Sequence, residues 1–174
     1  MASTSPSERA LAVALDRHER LVEVGVGRRP GVARALAARG REVVAFDVDV
    51  SEAARDAAAE TQASGGGSLR VVAADVTALS IADDRAVRDA LGCGASEDEP
   101  AAGGEPTAGG EPSAAAGVDA VYARNLPAEL QRPTVALAER LDAACLFTTL
   151  GFEEPIVDVR RRSAEAGPVV FVAR

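Results

Sequence analysis

The chain has no lysine. All 19 of its basic side chains are arginine, set against 27 acids for a net charge of −8. That balance excludes the basic footprint on which general nucleic-acid binding depends. Excess acid, absent lysine and abundant Ala and Gly fit a high-salt cytoplasm, where a dense carboxylate surface keeps a chain hydrated. A GC-rich genome biases composition in the same direction. Aromatic residues make up only 3% of the chain beside 47% hydrophobic residues, so its core must be aliphatic, built from Ala, Val and Leu. No apolar run approaches the roughly 20 residues of a bilayer crossing. The opening "MASTSPSERALAVALDRHER" lacks the basic start and long apolar stretch of a signal peptide. A soluble, cytoplasmic protein without membrane contact is expected.

Histidine occurs once, as His18, and cysteine twice, as Cys93 and Cys145. They lack zinc-ligand spacing, so no metal site is expected. Two free thiols fit a cytosolic chain, with Cys145 in a buried strand. A Ser/His or Cys/His catalytic set would depend on His18, which has no serine elbow or reactive-cysteine context nearby. It reads as an exposed helix residue.

The 174 residues suffice for one domain with a real core. Apolar strands and alanine-rich helices alternate at short spacing. A first helix is expected over about Ser7 to Arg20, with Ser7 as its cap. "LVEV" reads as a strand, "GVGRRP" as a turn and "GVARALAARG" as a helix ending at Gly40. "EVVAF" is a second strand, a helix capped by Ser51 follows, and "LRVVAAD" is a third strand. Residues 92–117 repeat "AGGEP" and carry no large apolar side chain. That composition predicts a disordered acidic insertion rich in Gly, Pro and Ala. "VDAVYA" resumes the fold as a fourth strand. Next come a helix, with Pro127 and Pro133 each suited to a helix start, and a fifth strand, "AACLFTTL". "PIVDVRRR" and "GPVVFVAR" read as a closing antiparallel hairpin. The expected class is α/β: a single minimal Rossmann-like domain over residues 1–174. Its mostly parallel sheet is flanked by helices.

The stretch "LVEVGVGRRPGVARALAARGREVVAFDVD" carries the candidate site. Glycines after a first strand let a ligand approach the backbone, and the next helix offers free N–H groups. Gly25 and Gly27 form a G-x-G, but Gly31 comes one residue too late for the dinucleotide pattern G-x-G-x-x-G. Glu23 is a carboxylate inside an otherwise apolar strand, able to accept from a ligand's amine or from turn N–H groups. Asp47 ends the second strand, where an acid can accept both ribose hydroxyls, and Asp49 shares its face. Asp75 ends the third strand, within reach of an adenine amino group. Turn and capping roles are the ordinary alternative for each acid. Arg28 and Arg29 flank the turn and suit an anionic group, carboxylate or phosphate.

"VEVGVGRRPGVARAL", "VVAFDVD" and "VVAADV" resemble the first three motifs of class I methyltransferases that bind S-adenosylmethionine. More narrowly, "VDAVYARNLPAELQ" and "DAACLFTTL" make the chain similar to the archaeal uncharacterised protein family 0146. Members of that family are small Rossmann-like proteins without a settled activity. In the family the segment after the fourth strand reads Arg-Pro-Pro before Glu-Leu. Here it reads Asn125-Leu126-Pro127, with Arg124 one place earlier. The resemblance implies S-adenosylmethionine as cofactor. Glu23, Gly25 and Gly27 would hold its methionine portion, Asp47 its ribose and Asp75 its adenine; Arg28 is a candidate for its carboxylate. Tyr122, Arg124 and Asn125 are candidates for contacting a methyl acceptor, with packing at the end of its strand the alternative for Tyr122. A non-catalytic binding or interaction module is the alternative, and an NAD(P)- or nucleotide-binding protein a third.

Overall fold

The computed structural model describes residues 5–92, 117–151, 153–162 and 168–174. Cys93, nearly all of the insertion expected over 92–117 and the "SAEAG" turn lie outside them.

The elements run α1 (Pro6–Leu15), β1 (Arg20–Val24), α2 (Gly31–Ala37), β2 (Glu42–Asp47), α3 (Glu52–Ser64), β3 (Ser68–Ala73), α4 (Val76–Ile81), α5 (Asp84–Leu91), β4 (Ala120–Ala123), α6 (Ala128–Arg140), β5 (Ala144–Phe147), β6 (Arg160–Arg162) and β7 (Val170–Val172). One seven-stranded sheet has the order β3-β2-β1-β4-β5-β7-β6. The first five strands pair in parallel. β7 inserts antiparallel between β5 and β6. The chain reverses direction between β3 and β4 across β1. The carboxyl ends of β1, β2 and β4 therefore border a crevice where open α/β sheets take ligands.

Side-chain alternation sends Leu21 to one face of β1 and Val22 and Val24 to the other. On the first face Leu21 meets Leu11 and Leu15 of α1, Val32 and Leu36 of α2 and Ala54 of α3. On the second, Val22 and Val24 meet Val76 and Leu79 of α4, Val87 and Leu91 of α5 and Leu137 of α6. The result is three layers with an aliphatic core on each side of the sheet. Glu23 falls on the first face and is fully buried there.

Four local expectations need correction. α1 starts at Pro6, not Ser7, and stops at Leu15. Ser5 is its cap: the Ser5 hydroxyl accepts from the Glu8 N–H, and the Glu8 carboxylate accepts from the Ser5 N–H. This is a capping box with proline at the first helical position. His18 consequently lies in the turn before β1, half-buried, and not on a helix. Pro133 sits inside α6, which begins after Pro127. The stretch after β3, given no element in the sequence reading, forms two short helices capped by Asp75 and Asp83.

Candidate functional site

The turn after β1 hangs from the end of β2. The Gly25 and Val26 N–H groups both donate to the Phe46 carbonyl, at 2.9 and 3.2 Å. Gly25 has φ +71 and Gly27 φ +54, the left-handed region that glycine enters without penalty. A Cβ built on either glycine would meet nothing within 4 Å, so open space lies over both.

Asp47 and Ser51 stitch this turn to the loop between β2 and α3. The Gly27 N–H donates to Asp47 Oδ2 at 2.9 Å. The Ser51 hydroxyl donates to the Gly27 carbonyl at 2.7 Å while also capping α3 through the Ala54 N–H. Asp47 Oδ1 accepts from the Asp49 N–H at 3.3 Å. An open cleft of about 460 Å³ is lined here by Gly27, Arg28, Asp47, Asp49, Ser51 and Glu52. Val48, between the two aspartates in sequence, is an exposed apolar side chain. Asp75 is exposed at the end of β3. Its Oδ1 accepts from the Thr77 N–H at 2.8 Å, and Oδ2 accepts no hydrogen bond among the described residues.

Glu23 lies beneath the turn in a polar cluster. It pairs in register with Tyr122 across β1 and β4, and the Tyr122 hydroxyl donates to Glu23 Oε2 at 3.0 Å. Glu23 Oε1 is buried without a hydrogen-bond partner. Burial pushes the Glu23 carboxyl up to about 7, against the opposing pull of the Tyr122 bond and the Arg124 charge. Burial, then the Glu23 charge, drives the Tyr122 phenol well above its ordinary value. Just past β4, Arg124 Nη1 contacts Glu8 Oε1 at 2.6 Å, with both side chains only 11% exposed. Arg124 Nε is buried and unpartnered. Asn125 is exposed in a left-handed conformation at φ +51. Its backbone N–H donates to Thr148 Oγ1 at 2.9 Å.

The structure thus gathers Gly27, Arg28 and Asp47 around the cleft, sets Asp75 on the same sheet edge and places Glu23 below. The three residues read as acceptor contacts separate. Tyr122 is fully buried against Glu23, Arg124 is engaged by Glu8, and only Asn125 faces solvent. Glu8 also belongs here, and its signal in the sequence is the capping box "SPSE". Ser51 does more than cap its helix, since it also holds the glycine turn. Among the described residues no group of three or more His, Cys, Asp or Glu side chains could hold a metal ion. No helix among them is long and apolar enough to cross a membrane. Cys145 is buried, and burial pushes its thiol up to about 12.

Residues 7–77 and 110–174 match the family model described as "Uncharacterised protein family (UPF0146)". The chain belongs to UPF0146. Proteins of this family from two strains of Halobacterium salinarum are 35% identical to it over 164 residues, 94% of each chain. The UPF0146 fold is similar to that of an RNA methyltransferase from Salinibacter ruber in complex with S-adenosyl-L-homocysteine. That likeness has a TM-score of 0.52 at 15% identity, covering 99% of this chain and 94% of the other. A second similar structure is magnesium protoporphyrin IX methyltransferase from Synechocystis with bound S-adenosylmethionine, with a TM-score of 0.51 at 14% identity. It is matched over 96% of this chain and 78% of its own. At such identities the likeness establishes a methyltransferase-like fold for this UPF0146 chain, and its activity has to be argued from the site.

Proposed function

We propose that this UPF0146 chain is a cytoplasmic S-adenosylmethionine-binding protein with the scaffold of a methyltransferase. The observation that carries the proposal is the stitched turn: Asp47 and Ser51 hold Gly27 so that open space lies over two left-handed glycines beside a carboxylate. Each Asp47 oxygen already accepts one backbone N–H, yet a carboxylate has about four lone-pair sites, so both ribose hydroxyls can still be received. Val48 offers an apolar surface for the nucleobase and Asp75 a free oxygen for its amino group. The buried Glu23 Oε1, without a partner, suits the ammonium of the methionine portion. These residues fit the cofactor, which supplies a transferable methyl group when bound. The chain's own task is to align an acceptor against it. Asn125, exposed just past the end of β4, would orient one.

A non-catalytic binding module is favoured by one specific finding: Tyr122 and Arg124 are spent on internal partners, leaving few groups for an acceptor.

Calorimetric titration in molar KCl tests the proposal, with S-adenosylmethionine and S-adenosylhomocysteine alongside NAD, NADP and ATP. The adenosyl pair is expected to bind and the others not. Asp47→Ala is expected to abolish that binding while the chain stays folded. A folded chain that binds none of the five ligands removes the proposal, and preference for NAD or NADP replaces it with a redox reading.

A further inference from the structure

The polar cluster under α1 contains two buried atoms without partners, and they are of opposite kind. Glu23 Oε1 can only accept when ionised, and Arg124 Nε can only donate. A buried polar atom of either kind is costly to leave unsatisfied. An α-amino-acid group carries both complements, an ammonium for the carboxylate and a carboxylate for the guanidinium.

The cluster already holds one carboxylate on Arg124, that of Glu8. Glu8 is brought there by the first turn of α1, 116 residues away in sequence. Arg124 is nearly buried, so it needs a counter-charge in the empty protein. Glu8 supplies it from a helix end, the part of a helix that opens most readily. Its Oε1 would also lie 3.8 Å from a Cβ on Gly31, the first residue of α2, so Glu8 sits against the start of the glycine-turn helix.

We infer that Arg124 receives the carboxylate of the ligand's α-amino-acid end, and that Glu8 is a displaceable stand-in for that carboxylate. This rests on the adenosyl-ligand reading above. Exchange of one carboxylate for another keeps the charge on Arg124 balanced, and Glu8 is released with the first turn of α1. Glu8 is therefore an internal competitor, and the ligand's affinity includes the loss of the Glu8–Arg124 pair.

The test compares three probes by calorimetry in molar KCl. S-adenosylhomocysteine has the whole amino-acid end, its decarboxylated analogue keeps only the amine, and 5′-methylthioadenosine lacks both groups. On the unaltered chain, loss of the carboxylate is expected to weaken binding at least about tenfold, as a charge-assisted hydrogen bond implies. Glu8→Gln is expected to tighten S-adenosylhomocysteine several-fold and leave 5′-methylthioadenosine unchanged. Arg124→Gln is expected to erase the difference between S-adenosylhomocysteine and its decarboxylated analogue. If either variant fails to fold, the comparison on the unaltered chain decides. Equal binding of all three probes overturns the inference and leaves the adenosyl cleft standing. So does Glu8→Gln that folds and does not tighten S-adenosylhomocysteine, which makes the pair a structural tie. Failure of all three probes to bind removes the adenosyl reading and the inference together.

Discussion

Affinity for S-adenosylhomocysteine should rise about fiftyfold between about pH 5 and about pH 7 in the unaltered chain, and stay nearly level in Glu23→Gln. Burial pushes the Glu23 carboxyl up to about 7. Well below that value its ionised fraction, the form that receives an ammonium, grows about tenfold with each pH unit, and the rise flattens as pH reaches it. Ligand-free stability should move the other way. The folded pKa of Glu23 lies above the unfolded value, so the folded state holds the proton over the window between them. The stability linked to that proton is complete below about 4.5 and is lost as pH rises through about 7. It amounts to about 3 kcal/mol for a shift of this size. Glu8 has the opposite sign. Burial raises its carboxyl, but the Ser5 N–H and Arg124 together hold it below its ordinary value. Its contribution is present at neutral pH and fades as pH falls through its lowered value. Urea midpoints across this range, with and without ligand, separate the two groups. Tyr122→Phe removes the bond that pulls Glu23 down, so it should move the affinity midpoint to higher pH. An affinity that does not change with pH in the unaltered chain defeats the assignment of Glu23 to the ammonium.

The β-α-β core of the fold was legible because its signals are local. The order strand, G-x-G, alanine helix, strand, acid needs only neighbouring residues, and Ser51 caps its helix as the pattern implies. The closing antiparallel pair was legible for a similar reason, since its connection is too short for any crossover. That β7 would insert between β5 and β6 was not, because hairpin patterning does not say which strand joins the sheet. α4 escaped because six residues with two buried side chains, Val76 and Leu79, make too short a period to recognise. α5 was more readable: Asp83, Val87, Leu91 and Gly92 mark a cap, an apolar stripe and a stop. Within the site, the acids at strand ends could be named from the sequence. What they touch could not. Glu23 and Tyr122 lie 99 residues apart, and their pairing depends on strand register. The engagement of Arg124 depends on Glu8, in the first turn of α1, 116 residues away in sequence. Packing at its strand end was one of the two readings open for Tyr122, and the fold adopts it against Glu23; Arg124, a candidate for an acceptor, is turned toward Glu8.

Gly67→Ala should damage the fold more than a change at either glycine of the turn, for a reason the run "SGGGS" hides. Gly67 lies where the chain leaves α3 and enters β3, its N–H donating to the Ala37 carbonyl at 2.9 Å. A Cβ there would collide with the Arg41 carbonyl oxygen and lie 2.6 Å from the Arg41 nitrogen and 2.7 Å from the Ala37 carbonyl oxygen. All three atoms are backbone, so no side-chain rotation relieves the contact. The end of α2 or the start of β2 would have to move, at about 3 kcal/mol or more. Gly27→Ala makes the contrast. Its φ of +54 strains an L residue by about 1–2 kcal/mol, but nothing lies within 4 Å of the new methyl group. That methyl group occupies the open space over the turn. Gly67→Ala should therefore lower the urea midpoint sharply. Gly27→Ala should lower it slightly and abolish S-adenosylhomocysteine binding. A Gly67→Ala chain as stable as the original would mean that α2 and β2 yield easily at this crossing. Undiminished ligand binding by Gly27→Ala would mean that the ligand does not lie over the glycine turn.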